Sequence, residues 1–586
     1  MTLLFPHDTV RNIQDKLIKY ISACVEHKKN LIAHAPTGLG KTAASIAPAL
    51  THAIDKKNIV IFFLTSRNTQ HRLALETLSQ IKKKHPVNFI GVDIIGKKSF
   101  CIQPNVRRLK SFEFYEYCRK MKEDGLCDYF MNIKKKDKLS PETEELLRQL
   151  RKNNPMPTEE VVAVSQEKNL CPYEISALLA KEAKVIIADY YYIFHPRIRA
   201  AFFKRLNLEL ENVLLIVDEA HNLPSRVKEL ASEKLTSVMI SRALNEAKKN
   251  GYSDLMDPLE KIGYILKGYG ARCDDEMHVS LEDFKEKVNA IREYDELISD
   301  LSFAGDVIRE KQQYSYIGSI AAFLDLWPGP DEGYTRILEK KRGVDVILSL
   351  KYQCLDPSVV TREIINNTYC SILMSGTLTP TPMYKELLGF EDCEEIVLPS
   401  PFPDINRLNL IIPETSTKYE HRSPEQYKKI AKVLSNVIET VPGNTAVFFP
   451  SYALKDDISK HIVTKKVSLS EEQTLTKQEK ETILNKFKSY KDKGAVLLGV
   501  ISGNFGEGID LPGDYLKGVV IVGLPLQRPS LETKALIDYF DKKFGKGWDY
   551  GYLFPAFTKA IQSAGRCIRS ETDKGIVVFL DERYTW

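Results

Sequence analysis

The chain has 586 residues, 43% hydrophobic and 27% charged, which excludes a disordered or fibrous protein and allows about three or four domains. Its 83 basic and 78 acidic residues leave a net charge of only +5, so any nucleic-acid affinity has to come from local patches. With no basic, apolar leader and no apolar run near the ~20 residues of a membrane span, a cytoplasmic protein without membrane partners is expected, its ten cysteines mostly reduced.

Short apolar runs rich in β-branched and aromatic residues occur at Asn30–His34, Ile59–Thr65, Asn212–Val217, Ala446–Phe449 and Val519–Val522. Stretches of helical period, such as His71–Lys82 and Pro424–Glu439, separate them. This alternation predicts an α/β protein with two parallel sheets and ligand sites at the C-terminal strand ends. Pro399–Pro403 (PSPFP) is the expected joint between them. Two regions break the pattern. Residues 97–184 are polar and hold four cysteines, and residues 225–345 are rich in Glu, Lys and Leu at helical spacing. Both read as insertions into the first sheet domain, the second mostly helical.

Ala35-Pro36-Thr37-Gly38-Leu39-Gly40-Lys41-Thr42 follows a predicted strand and opens a predicted helix, the context of a phosphate-binding loop. Gly38 and Gly40 let backbone N–H groups approach the phosphates, Lys41 would hold the β- and γ-phosphates, and Thr42 would ligate Mg²⁺. Ala35 stands where the simplest pattern has Gly. Asp218-Glu219-Ala220-His221 closes an apolar strand, so Asp218 would hold the Mg²⁺ through water and Glu219 would deprotonate the attacking water. In Gln562–Arg569, Arg566 and Arg569 stand three apart and share a face if the segment is helical; they would stabilise charge on the γ-phosphoryl group, with Gln562 contacting phosphate or water. A surface basic helix is the plainer reading of that segment alone. Some 350 residues separate it from the box, so the site closes only if two sheet domains meet.

Cys101, Cys118, Cys127 and Cys171 leave 16, 8 and 43 residues between successive members. That spacing fits neither a common zinc knuckle nor a bacterial ferredoxin run, and leaves Zn²⁺, an iron–sulfur cluster and four free thiols open. The other six cysteines read as structural.

Taken together, the motifs resemble the iron–sulfur XPD family of superfamily 2 helicases, with its FancJ-like and DinG-like members, over nearly the whole chain. Arg11 and Gln14 resemble the adenine-recognition segment; Thr65–Gln70, with Arg67, the first DNA-contacting motif; and Ala188–Tyr192 the element after the cluster domain. Ser375–Thr379 resembles the motif coupling hydrolysis to DNA, and Phe448–Tyr452, with Ser451 and Tyr452, a further DNA-contacting motif. Gly506–Asp510, with Asp510 at the nucleotide, and Asp581–Arg583 resemble the closing signatures.

The resemblance implies two RecA-like motor domains, the first interrupted by an iron–sulfur insertion and a helical arch. It divides the chain into 1–96, 185–224 and 346–398 for the first motor, 97–184 for the cluster, 225–345 for the arch and 399–586 for the second motor. It also implies a [4Fe-4S] cluster on the four cysteines, where Gly96–Cys101 and Leu170–Tyr173 look like its first and last ligand contexts. A structural role for the cluster is expected, pinning a polar insertion with little core of its own. ATP, Mg²⁺ and single-stranded or forked DNA are the implied cofactors and partners, with Arg67, Tyr191 and Tyr192 along the strand. The expected function is a monomeric 5′–3′ DNA helicase in repair of the nucleotide-excision type; the alternatives are a DNA-stimulated translocase or a bubble-binding scaffold. Asn68 replaces a usual Thr, and the ending soon after Arg583 looks like the archaeal short form.

Overall fold

A computed structural model describes residues 2–66, 68–104, 106–109, 111–311, 314–343, 345–506, 511 and 513–585. Arg67 and Asp510, both expected at the site, lie outside the described residues.

Seven parallel strands form the first sheet, in the order Glu394–Val397, Leu31–His34, Cys370–Ser375, Val213–Asp218, Val60–Leu64, Val185–Ala188 and Gly91–Ile94. Most are buried along their whole length, as strands covered on both faces must be, which is why they read as unbroken apolar runs. The order has a direct consequence. The strands ending at His34, Ser375 and Asp218 are neighbours, so three loops far apart in sequence leave the same sheet edge side by side. The second sheet has six parallel strands, Arg407–Ile412, Gly575–Leu580, Gly518–Val522, Thr445–Phe449, Ala495–Val500 and Val467–Ser470. The first sheet's last strand ends at Val397 and the second's first begins at Arg407, with the Pro-rich stretch between them.

The 225–345 region departs from expectation. Its helices, among them Ser237–Asn250, Met256–Ala271 and Tyr294–Lys311, surround a four-stranded antiparallel sheet. Tyr334–Arg342 and Val346–Cys354 form a hairpin at its centre, so the expected edge at 345/346 falls inside one structural unit. Charged residues along Tyr334–Arg342, the buried Arg336 among them, broke up the apolar run that would have marked the strand.

The cysteine-bearing insertion also differs. It is not short of a core: Leu146, Leu150, Ile175 and Leu179 pack in one cluster with Ile94 and Ile186 of the first sheet. Helical spacing hid these residues among many charges.

The chain's end is fixed by a buried ion pair. Asp581 accepts from Arg583 Nε at 2.7 Å and from Thr417 N at 2.9 Å, and both side chains are buried. Burial alone raises the Asp581 pKa, but the Arg583 contact outweighs it and holds the carboxyl below its ordinary value. The linkage sign follows: its stabilisation is complete above the ordinary carboxyl range near pH 4 and is lost as pH falls through the depressed value. Arg583→Ala leaves this carboxylate buried and unpaired. The expected cost is roughly 3–5 kcal/mol, read as a drop of roughly 10 °C in the melting transition of the second-sheet unit. A shift under about 2 °C would refute the assignment.

Candidate active site

The phosphate loop leaves strand Leu31–His34 and enters helix Lys41–Ala53. Gly38 and Gly40 both adopt φ of 81°, where a side chain is strained. Arg11 Nη1 donates to Gly38 O at 2.6 Å and Gln14 Nε2 to Gly40 O at 3.1 Å, so the expected base-recognition residues brace the loop itself. Phe402, from the joint between the sheets, lies against Gly38: a Cβ there would sit 2.1 Å from its Cζ. Pro36 and Thr37 line the cleft beyond, Leu39 is buried beneath, and Lys41 and Thr42 begin the helix. Burial, and then the Lys41 charge, lower the pKa of His34 at the strand end and keep it neutral.

Asp218 is buried at its strand end, and its Oδ1 accepts from the Glu219 N–H at 3.0 Å. Glu219 itself adopts φ of 51°, a left-handed conformation that a non-glycine residue holds only when its surroundings fix it. The surroundings are evident. Gln70 Nε2 donates to Glu219 Oε1 at 3.2 Å, Ser375 Oγ to Oε2 at 3.3 Å, and His221 Nδ1 lies 3.3 Å from Oε2 and 2.6 Å from Ser375 Oγ. The Tyr190 hydroxyl donates to the carbonyls of Asp218 and Glu219 at 2.6 and 3.0 Å. Gln70, Ser375 and Tyr190 were not among the residues expected here; Ser375 ends and Gln70 follows a strand adjacent to Val213–Asp218, and Tyr190 follows the strand one further out.

The second sheet contributes the opposite wall. Gln562 Nε2 donates to Thr377 Oγ1 at 3.2 Å across the cleft, and Arg566 Nε donates to Gly506 O at 3.1 Å. Arg566 and Arg569 line the same cleft as Thr37 and Glu219. They do not share a helix face, however. The helix Phe554–Ala564 stops at Gly565, leaving Arg566 in a turn and Arg569 in a loop where its N–H donates to Asp573 Oδ2 at 2.8 Å.

Of the expected strand contacts, Tyr191 is exposed. Tyr192 is not: it is buried, its hydroxyl donates to Ile95 O at 3.1 Å, and its ring packs 4.9 Å from that of Phe202. It belongs to the core, which corrects its expected place along the strand. Ser451 caps helix Tyr452–Ser459 by accepting from Leu454 N, and the Tyr452 hydroxyl donates to the buried Glu471 at 2.8 Å.

Cys101, Cys118, Cys127 and Cys171 line one cavity together with Lys97 and Tyr173. Each sits in a different element: Cys101 ends a short helix, Cys118 lies within Ser111–Glu123, and Cys127 and Cys171 precede helix starts. Among the described residues, no group of His, Cys, Asp or Glu is drawn together tightly enough for a metal ion. Burial pushes the Cys101 thiol up to about 11 and the Cys171 thiol up to about 12. Among the described residues no helix is long and apolar enough to cross a membrane.

Residues 64–240 match the DEAD_2 family model, residues 434–586 the helicase C-terminal domain, and residues 11–106 the DEAD/DEAH box helicase model. A general transcription and DNA repair factor IIH helicase subunit, XPD/RAD3, of Saccharomyces cerevisiae is 23% identical over 100% of this chain and 87% of its own. An ATP-dependent DNA helicase XPD of Sulfolobus acidocaldarius is 25% identical over 98% of this chain and 96% of its own. A solved XPD helicase structure superposes with a TM-score of 0.68 at 22% identity, covering 99% of this chain and 97% of that one. The Xpd4 structure from S. tokodaii gives 0.62 at 17%, covering 98% and 96%. With two RecA-like sheets facing each other across a phosphate loop and an acidic box, the chain belongs to the XPD/Rad3 family of ATP-dependent helicases.

Proposed function

We propose that the chain is a DNA helicase that hydrolyses ATP between its two sheets, translocates 5′–3′ on single-stranded DNA and opens forked duplex, in repair of the nucleotide-excision type. The observation that carries this is the convergence on Glu219. Gln70 and His221 follow two strands, Ser375 ends a third, and together they hold one carboxylate, while Gln562 of helix Phe554–Ala564 bonds Thr377 beside it. A base fixed by parts that must also respond to a bound strand ties hydrolysis to movement between the sheets. The Sulfolobus relative named as an ATP-dependent DNA helicase, and the yeast one as a helicase subunit of a DNA repair factor, support DNA as the track. Monomeric action and a cytoplasmic location are part of this reading.

In this reading Lys41 and the Gly38–Gly40 backbone bind the phosphates, and Arg11 and Gln14 set the loop's shape against the base. Thr42 and Asp218 would hold Mg²⁺, which when bound neutralises charge on the β- and γ-phosphates. Glu219, ionised and held by hydrogen-bond donors, takes the proton from the attacking water. Arg566 reaches the γ-phosphoryl group as the sheets close, with Arg569 beside it. Tyr191, Ser451 and Tyr452 border the strand's path, with Arg67 and Asp510 completing the motifs.

The four-cysteine cavity fits an iron–sulfur cluster in its donor set: four soft thiol ligands around a volume, with no single point of convergence. A [4Fe-4S] cluster bound there would supply cross-linking positive charge to the four chain segments. Because the insertion's inner helices share the first sheet's core, Cys118→Ser is expected to loosen only the outer segment near residues 97–131. Far-UV circular dichroism should stay near wild type while visible absorbance at the cluster band is lost; wholesale loss of helix would contradict this.

The test of the function is strand separation by anaerobically purified protein on matched duplexes bearing a 5′ or a 3′ tail, with Lys41→Ala alongside. Opening of only the 5′-tailed duplex, dependent on ATP and on Lys41, is the expected result. DNA-stimulated hydrolysis without opening would reduce the protein to a translocase, and absence of hydrolysis would overturn the reading.

A further inference from the structure

A buried ionic cluster lies where the cysteine-bearing insertion meets the first sheet. His71 Nδ1 stands 2.6 Å from Asp93 Oδ1, and the other carboxylate oxygen accepts from Thr158 Oγ1 at 2.6 Å. His71, Asp93 and Thr158 are all buried. The second ring nitrogen, Nε2, lies 3.4 Å from the Thr65 carbonyl. Both ring nitrogens thus face acceptors, one a carboxylate and one a carbonyl, and only the doubly protonated imidazolium can donate to both. The result is a His71–Asp93 ion pair inside the protein, with Asp189 as a further carboxyl whose charge acts on His71.

Such a pair is a poor means of simple stabilisation. An apolar substitute of the same size is often as stable, because burying two charges costs several kcal/mol each before they attract. What the pair does provide is a fixed geometry between elements distant in sequence, beside a second polar link in which Asn154 bonds Gly91 N and O and accepts from Lys82 Nζ. Asp93 belongs to strand Gly91–Ile94 and His71 to helix Asn68–Lys84. Thr158 opens helix Thr158–Glu167, four residues beyond which Cys171 faces the four-cysteine cavity.

The contacts continue on the other side. The Thr65 hydroxyl donates to Gln70 Oε1, and Gln70 Nε2 donates to Glu219 Oε1 at 3.2 Å. A path therefore runs from Thr158 through Asp93, His71, Thr65 and Gln70 to the carboxylate that activates water, joined within Thr65 by its covalent frame, with the carbonyl on the His71 side and the hydroxyl on the Gln70 side.

We propose that Thr158, Asp93 and His71 are positioning residues that transmit the placement of the four-cysteine insertion to Glu219 through Thr65 and Gln70. This rests on the reading of Glu219 as the general base. The insertion, when seated by a bound single strand, holds Gln70 in the rotamer that orients Glu219; when the seat loosens, Gln70 releases the carboxylate and turnover falls. Ordering of the outer domain thereby sets the rate of ATP hydrolysis without touching the nucleotide.

The test is steady-state ATP hydrolysis with poly(dT), using Thr158→Val, which keeps the shape and removes the hydroxyl, and Thr158→Ser, which keeps the hydroxyl. Thr158 starts its helix and sits at a seam, so neither change opens a cavity in the core; Thr158→Ala is run in parallel as a second hydroxyl deletion. The expected result is a fall in stimulated kcat of about fivefold for Thr158→Val, at the low end of coupling effects of roughly 5–150-fold. KM for ATP stays unchanged, and Thr158→Ser recovers to within about twofold of wild type. In a Gln70→Ala background Thr158→Val produces no further fall, because the path is already cut. The inference is overturned if Thr158→Val leaves kcat unchanged, if Thr158→Ser fails equally, or if the two losses multiply. Wild-type protein that hydrolyses no ATP with poly(dT) removes the functional reading and the relay together. An active wild type with an inert Thr158 removes only the relay.

Discussion

Glu219→Gln is expected to lower kcat for ATP hydrolysis by roughly 10²–10⁴-fold while leaving nucleotide affinity within about twofold. The substitution preserves size, and the phosphate-holding groups, Lys41 and the Gly38–Gly40 backbone, lie on a different loop. What it removes is the capacity to accept a proton. It also disturbs the contacts that orient the group: Gln70 and Ser375 both donate to Glu219, and an amide NH₂ turned toward either would set donor against donor. Turnover should therefore fall even where the chain still closes around ATP. Two measurements separate binding from chemistry, titration with a fluorescent ATP analogue and single-turnover hydrolysis. Turnover within about tenfold of wild type would remove Glu219 from its role. A large loss of affinity would instead mean that the left-handed backbone at Glu219 had relaxed and moved the box.

The sequence made the strands legible because parallel strands buried on both faces are continuous apolar runs, and the phosphate loop and acidic box stand at their ends. It could not reveal that Leu31–His34, Cys370–Ser375 and Val213–Asp218 are neighbours, since strand order depends on pairings hundreds of residues apart. For that reason Gln70 reads as part of a DNA-contacting motif and Ser375 as part of the motif coupling hydrolysis to DNA, while the direct reach of both side chains to Glu219 stays hidden. Arg569 was misplaced by assuming helical continuity through Gly565, where the helix Phe554–Ala564 in fact stops. The resemblance puts Tyr192 along the strand together with Tyr191; its burial against Phe202 comes from the helix turn that leaves Tyr191 outside instead. The His71–Asp93 pair left no local signal at all, since its two members lie on separate elements and meet only through the sheet.

Arg566→Ala should lower stimulated kcat by about 10³-fold or more, in the range found when an arginine that meets the γ-phosphoryl group is removed. The geometry favours this residue over its neighbours. Arg566 is buried in the cleft wall, and its Nε donates to Gly506 O at 3.1 Å, which sets the plane of the guanidinium. Ser563, one turn earlier, is buried beneath the same loop. A group fixed in this way loses little freedom when the transition state forms, so its charge acts on the phosphoryl oxygens without reorganisation. Arg566→Lys should rescue little: an ammonium cannot keep the Nε contact to Gly506 and also present a planar fork to phosphate. Gln562→Ala, which loses the Thr377 contact between the sheets, is expected to raise KM as well as lower kcat, because it weakens closure itself. The comparison decides between two roles. If Arg566→Ala lowers kcat with KM for ATP nearly unchanged, the residue acts in the transition state. If KM rises in step and Arg566→Lys restores activity, Arg566 only holds the sheets together, and the charge on the γ-phosphoryl group is met by Arg569.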